Sequence, residues 1–295
     1  MTTNGTLFYD EHIDFFQNNY FNISISLDGP KELHDMNRVF SSGKGSFDII
    51  MENINHIKTN YPDFFQLFRF MTVITPRVDF SCITNFYDVG EFISSNVAMS
   101  LVNNYCVKEE LKYDDLYYIT SRFNCMKFLL AELGIYDKKK VSVLFRDALS
   151  NIERIYERLS KGKMPKKAHP SGPCLPGVMR PFVDVHGNIF PCERLPENSE
   201  AMKIGHIDKG FDMKKIHSLL NVGQLTKEEC IGCWSFVFCN LCAAACGSSD
   251  ELSRDERLQH CLGVKQDAIN NLMTICLLLE NKYKFFNNNS EVVSV

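Results

Sequence analysis

Along the first hundred positions the apolar residues switch between two rhythms. Short β-rich runs of period two alternate with stretches in which apolar side chains recur every three or four residues. Phe21 to Leu27 reads as a strand entering the turn Asp28-Gly29-Pro30. Ser46 then stands as the N-cap of a helix whose apolar face is Phe47, Ile50, Met51, Ile54 and Ile57. Leu67 to Ile74 is the next strand. Ile83, Phe86, Tyr87 and the Phe92-Ile93 pair predict another helix, and Ala98 to Val102 a further strand. Such a β/α succession predicts an α/β fold with a parallel sheet and right-handed crossovers.

The rhythm becomes purely helical from Asp114 to about Ser160, with Leu116, Ile119, Phe123 and the Phe128-Leu129 pair on one stripe and a second helix over Val141 to Leu159. Lys161 to Gly172, with Lys163, Pro165, Lys166, Lys167 and Pro170, reads as an exposed linker. A hairpin follows: Phe182 to Val185, the turn His186-Gly187, then Asn188 to Phe190, delivering Cys192 at the end of its second strand. A last helix carries Leu272, Ile275, Cys276 and Leu279 on one face, and the tail Asn287 to Val295 is expected to fray.

Composition narrows the function classes. The 295 residues are 45% hydrophobic and 23% charged, which suits a globular protein with a substantial core. A formal charge of −4 gives no broad basic field for nucleic acid or an anionic membrane. No apolar run approaches the roughly 18 to 20 residues of a membrane span, and Met1 to Gly5 lacks the basic and apolar regions of a signal peptide. A cytoplasmic address is expected, where thiols stay reduced and clustered cysteines are metal ligands more often than disulfides.

Of the 12 cysteines, Cys82, Cys106, Cys125 and Cys276 are scattered among apolar neighbours and read as small buried hydrophobes. The other eight fall in the second half: Cys174, Cys192, then Cys230-x2-Cys233-x5-Cys239-x2-Cys242-x3-Cys246, and Cys261. Eight thiolates make two sets of four, suited to tetrahedral zinc or to cubane iron–sulfur clusters. Structural zinc sites favour paired Cys-x-x-Cys knuckles. Here one knuckle is followed by unequal spacings, which favours clusters, with zinc as the alternative.

These residues resemble the radical S-adenosylmethionine (radical SAM) enzymes that carry a SPASM domain, a family of peptide maturases that includes the anaerobic sulfatase-maturing enzymes. Cys174, Gly187 and Cys192 match that domain's Cys-x(9–15)-Gly-x4-Cys pattern, with 12 residues before the glycine. Cys230, Cys233, Cys239, one of Cys242 or Cys246, and Cys261 answer the remainder, although no cysteine sits at the family's x3 spacing after Cys239. The resemblance implies that Cys230, Cys233, Cys239 and Cys261 hold one auxiliary 4Fe–4S cluster. Cys174 and Cys192, with Cys242, Cys246 or both, would hold the other. Trp234, after the second knuckle cysteine, matches the peptide-modifying branch. Thr2 to Leu7 is similar to the end of the third barrel strand. Ile25 to Pro30, with His34-Asp35 and Arg38, is similar to the fourth strand and its loop, which makes Ser26 and Arg38 candidates to contact the amino-acid end of S-adenosylmethionine. Glu193 occupies the place where relatives carry an aspartate proposed to take a proton from substrate; it reads equally as a solvated strand-end residue. His186 reads as a turn residue.

The resemblance implies the C-terminal portion of a (β/α) radical SAM barrel at 1–110, a helical bridge and linker at 111–171, a SPASM-like domain at 172–265, and a C-terminal helix and tail at 266–295. The Cys-x3-Cys-x2-Cys loop that binds the family's radical-generating 4Fe–4S cluster is absent from the sequence. The chain is therefore expected to be a truncated enzyme, one with a misassigned start, or a non-catalytic relative. The implied activity is modification of a peptide or protein, thioether formation first and formylglycine formation second, with a reductant such as ferredoxin or flavodoxin. A non-catalytic iron–sulfur or zinc protein is the alternative from another class.

Overall fold

The computed structural model describes residues 1–76, 78–90, 97–102, 111–146, 148–159, 174–178, 180–247 and 250–285. Contacts divide the chain into two compact units, Met1–Asn103 with Glu110–Ser150, and Asn104–Glu109 with Asn151–Val295. The expected Phe92-Ile93 pair, Cys106, the linker Lys161 to Gly172 and the frayed tail lie outside the described residues.

The first unit is built on a sheet of four parallel strands in chain order, β1 (Thr2–Thr3), β2 (Ser24–Ser26), β3 (Arg69–Ile74) and β4 (Val97–Leu101). Register puts Ile25, Phe70 and Val97 in one buried row and Ser26, Met71 and Ala98 in the next, half-buried row. Adjacent rows face opposite sides of a pleated sheet. The connections carry α1 (Asp10–Asn18), α2 (Lys31–Asn37), α3 (Phe47–Asn60), α4 (Pro62–Phe65) and α5 (Phe80–Val89). Helix α3 buries Ile50, Ile54 and Ile57 completely, as its apolar spacing predicts. It comes down onto the sheet at Gly5, where a Cβ would stand 2.9 Å from Ile25 Cγ2 and 3.4 Å from Ile50 Cγ2. Gly5 also has φ +76°, so a side chain there would be both crowded and strained.

Two local expectations change. Ser46 precedes α3 but gives it no side-chain cap; Asp35, from α2, accepts from Phe47 N at 2.9 Å instead. Helix α6 (Asp115–Glu132), capped by Asp114 accepting from Tyr117 N at 2.7 Å, buries Tyr117, Asn124, Phe128 and Ala131. The stripe Leu116, Ile119 and Phe123 is exposed. That helix has apolar residues on both sides, so its sequence offers two stripes and packing selects one.

The second unit contains an antiparallel meander, β5 (Phe182–Val183), β6 (Asn188–Phe190), β7 (Gly205–His206) and β8 (Gly210–Phe211). Its first hairpin has the expected register, Val183 opposite Ile189. Asp184 closes the turn by accepting from the backbone amides of His186 and Asn188, each at 2.8 Å. Gly187 supplies the positive φ that the turn requires. The small core beneath holds Ile189, Phe190, Leu195, Met202, Ile204 and Leu219.

Of the helices, α7 (Ala148–Leu159) enters this unit at Asn151, and Tyr156 stacks on Phe285 with ring centroids 4.1 Å apart. Helix α8 (Met213–Leu220) is capped by Asp212, and α9 (Lys227–Ile231), α10 (Arg254–Gln259) and α11 (Cys261–Glu280) carry or flank the cysteines. Helix α11 buries Val264, Ala268, Ile275 and Leu278, whereas Cys276 and Leu279 of the expected face are exposed. Cys82 is exposed too, its thiol donating to Asp79 Oδ2 at 3.5 Å, so two of the scattered cysteines are surface residues and not core fillers. Among the described residues no helix is long and apolar enough to cross a membrane.

Candidate metal centre and cofactor site

Cys230, Cys233, Cys239 and Cys261 line one cavity of about 200 Å³ in the second unit, together with Thr226, Phe236, Leu241 and Arg257. Local backbone turns place them. Cys230 lies in the last turn of α9, and Cys233 N donates to Cys230 O at 3.2 Å, closing the Cys-x-x-Cys turn. Phe236 to Phe238 forms a single 3₁₀ turn that delivers Cys239, and Cys261 begins α11. The wall behind Cys239 and Cys261 is apolar, made by Leu241, Ala245 and Val264. Hydroxyls meet two of the sulfurs: Thr226 Oγ1 lies 3.4 Å from Cys230 Sγ, and Ser235 Oγ lies 3.2 Å from Cys233 Sγ.

Burial pushes the thiols of Cys239 and Cys261 above the ordinary cysteine range, and each neighbouring thiol adds to the rise. The donor set is soft and four in number, and thiolates are what zinc or an iron–sulfur cluster requires. Among the described residues no three Cys, His, Asp or Glu side chains close on one point as the ligands of a single ion do. The four thiols line one cavity.

A second set forms around Cys246. It is fully buried in the short 3₁₀ segment Ala243–Cys246, and it interacts electrostatically with Cys242, which in turn interacts with Cys192. Burial raises the thiols of Cys192 and Cys246, with Cys242 adding to both. The uncertain pair Cys242 and Cys246 therefore lies on the Cys192 side together. Cys174 is exposed.

Glu193 follows Cys192 and pairs at the surface with Arg180, with Arg194 Nε at 3.9 Å; its side chain is 42% exposed. Trp234 lies away from the thiol-lined cavity, in a surface groove with Ile269, Leu272, Met273, Cys276 and Leu277.

In the first unit, Ser26 ends β2 on the half-buried side of the sheet, and its hydroxyl makes no hydrogen bond among the described residues. Arg38 is tied to Asp28, two residues further on: Nε donates to Asp28 Oδ2 at 2.6 Å and Nη2 to Oδ1 at 3.2 Å. Asp28 also accepts from Val73 N at 2.9 Å, which anchors the fork to β3. Nη1 of Arg38 takes no hydrogen bond among the described residues, so one edge of the guanidinium is open to a second carboxylate.

The loop is held from beneath by His34, whose Nδ1 accepts from Asp28 N at 3.2 Å and whose Nε2 meets Ser46 Oγ at 3.0 Å. Ser46 passes the chain on to Arg38 O at 2.9 Å. These bonds require a neutral imidazole with its proton on Nε2. Burial depresses the His34 pKa in agreement, with the nearby Asp28 opposing and Arg38 reinforcing. Asp28 and His34 were legible only as parts of a motif, and their roles as clamp and brace come from the structure.

No family model matches the chain. It is 46% identical over 56 residues, 19% of its length and 14% of the relative's, to the serine-type anaerobic sulfatase-maturating enzyme of Bacteroides thetaiotaomicron. A longer alignment of 290 residues, covering 90% of this chain and 70% of the relative, gives 23% identity to the cysteine-type enzyme of Clostridium perfringens. Among solved structures it superposes on native anSMEcpe with bound AdoMet and Cp18Cys peptide at a TM-score of 0.60 and 19% identity, covering 94% of this chain and 75% of that one. In sequence the chain is thus similar to anaerobic sulfatase-maturating enzymes, and it shares the fold of the solved anSMEcpe structure.

Proposed function

We propose that this chain is the part of an anaerobic sulfatase-maturating type of enzyme that carries two auxiliary 4Fe–4S clusters and meets the amino-acid end of S-adenosylmethionine. The observation that carries the reading is the single cavity lined by Cys230, Cys233, Cys239 and Cys261. Cys192, Cys242 and Cys246, with Cys174, form the other ligand set. Bound in such thiol pockets, an iron–sulfur cluster supplies one-electron redox capacity at a potential set by nearby charge and hydrogen bonds.

In the first unit the open edge of Arg38, fixed by Asp28, receives the cofactor carboxylate, and the unpartnered Ser26 hydroxyl supports its binding. The substrate is a peptide or protein cysteine or serine, converted to formylglycine. The relatives' names favour this over thioether formation, which Trp234 beside Cys233 had favoured in the sequence. A base role for Glu193 requires its pair with Arg180 to open. An external reductant such as ferredoxin or flavodoxin and a cytoplasmic setting complete the proposal.

The test uses the longest reading frame containing this chain, reconstituted anaerobically with iron and sulfide and given S-adenosylmethionine, a reductant and a sulfatase-type peptide bearing the target cysteine or serine. Mass spectrometry is expected to show formylglycine. A thioether product would move the chain to the other branch, and an unmodified peptide with fully loaded clusters would overturn a maturase role. Two zinc ions without sulfide in the purified protein would overturn the cluster assignment.

A further inference from the structure

Arg257 is among the most buried large side chains of the protein, 1% exposed. A guanidinium this deep normally meets a carboxylate, because a buried charge is tolerated only when it is paired. Among the described residues no carboxylate pairs with it. Its Nη2 donates to Leu241 O at 3.0 Å, Nη1 to Cys242 O at 3.1 Å, and Nε to Thr226 Oγ1 at 3.3 Å. Those three bonds leave two of the five N–H groups without an oxygen acceptor.

The surroundings of that cation are sulfur. Arg257 lines the cavity of Cys230, Cys233, Cys239 and Cys261, and its charge acts on Cys239 and Cys261. Its charge acts on Cys246 as well. Thr226, which receives Nε, also touches Cys230 Sγ. The two carbonyls it grips, Leu241 and Cys242, belong to the strip of chain joining Cys239 to Cys246. One guanidinium therefore lines the first set of thiols, acts on Cys246 of the second, and fixes the backbone that connects them.

We infer that Arg257 is a positioning residue that serves as the shared buried counter-charge of both cysteine sets, compensating the net negative charge of thiolate-ligated clusters. The inference rests on the cluster reading above and adds to it a defined electrostatic partner. Ligated thiolates supply the anionic charge that no carboxylate among the described residues offers Arg257. A positive charge at this distance favours the more negative, reduced state of a cluster and opposes loss of the anionic assembly.

The experiment compares the full chain as wild type, R257K, R257Q and R257M, each reconstituted anaerobically with iron and sulfide. Readouts are iron and sulfide per chain, the rate of iron release to a chelator, the reduction potentials followed by electron paramagnetic resonance, and the circular dichroism of the apoproteins. R257K keeps the charge but loses the fork, and it is expected to release iron within about threefold of wild type. The neutral variants are expected to release it at least about tenfold faster, with a potential lowered by about 59 mV for each tenfold shift in the one-electron equilibrium.

Neutral variants that match wild type in release and potential would overturn the inference. So would R257K proving as damaging as R257Q, since the fork and not the charge would then matter. If both neutral variants fail to fold as apoproteins while R257K folds, Arg257 is a structural residue and the inference falls. A wild-type chain that takes up no iron and sulfide would instead sink the cluster reading itself.

Discussion

In the first unit, four parallel strands and α3 close over Ile25, Ile50, Ile54 and Ile57, none of which retains any exposure. In the second, strands of two or three residues cover a small core, and its α9 to α11 region holds a cavity edged with thiols and a buried guanidinium that has no carboxylate partner among the described residues. Apolar burial explains the first: each such isoleucine removes an entire side chain from water, which contributes about 1.5 to 3 kcal/mol. It does not explain the second. On the proposed reading, a bound cluster would supply the stability that apolar burial does not.

The comparison breaks most directly on metal removal. Chelating iron and sulfide from the reconstituted chain, or replacing Cys239 with Ser, is expected to accelerate amide hydrogen exchange in α9, α10 and α11 by several orders of magnitude. Structural metals contribute about 10 to 16 kcal/mol of folding free energy in zinc-finger peptides, and a cluster held by four thiols stands in the same relation to its fold. Exchange in β2, β3 and α3 should stay as it was. Equal protection of both regions after metal removal would show that the second unit folds by itself.

The converse substitution is Ile54→Ala. It removes a fully buried side chain from α3 and is expected to cost about 2 to 5 kcal/mol, read as a lower denaturant midpoint for the first unit's transition. Iron content should not change. A loss of iron on this substitution would show that the two regions fold as one cooperative body.

Much of this contrast is visible in the sequence. The isoleucines of α3 recur with the period of a helix, and β2 and β3 have the alternation of half-buried strands, so both the elements and their buried faces can be read directly. The cysteine spacings mark eight candidate ligands, and the family resemblance implies the grouping of Cys230, Cys233, Cys239 and Cys261, which the structure places around one cavity. What stays hidden is whatever depends on a partner distant in sequence. Ser46 has the chemistry of a cap, but Asp35 arrives from another helix and takes the bond. Arg257 lies in the run Arg254-Asp255-Glu256-Arg257, which has the look of a solvated helix face, and only folding turns its last member inward. Glu193 stands out in the sequence for its place beside a cysteine, and the distinction between an acid in a pocket and one in a surface pair is not written in that adjacency.

A smaller effect separates the cofactor loop from the rest of the first unit. His34 is buried as a neutral brace and its pKa lies below that of an exposed histidine. The unfolded chain, titrating near 6.5, therefore binds a proton before the folded one does. Stability is fully present above that value and falls as pH drops through it toward the lower folded pKa. His34→Gln is expected to reduce stability at neutral pH and to flatten this acid-side slope, checked by denaturant melts of the first unit between pH 7.5 and about 5. An unchanged slope would mean that other groups set the pH dependence.

The smallest effect on stability belongs to Glu193, and it decides whether that carboxylate takes a proton from the substrate. As one half of an ion pair whose two side chains are 46% and 42% exposed, it is expected to contribute less than about 1 kcal/mol, so Glu193→Gln should leave the melting of the second unit nearly unchanged. The same substitution removes the only feature a proton acceptor needs. If Glu193 takes a proton from the substrate, peptide conversion by the loaded enzyme falls by about a hundredfold or more while iron content and peptide affinity hold. Conversion that holds as well leaves Glu193 a solvated partner of Arg180. A variant that changes activity without changing stability marks chemistry in the second unit, whereas Ile54→Ala in the first is expected to change stability and leave the clusters in place.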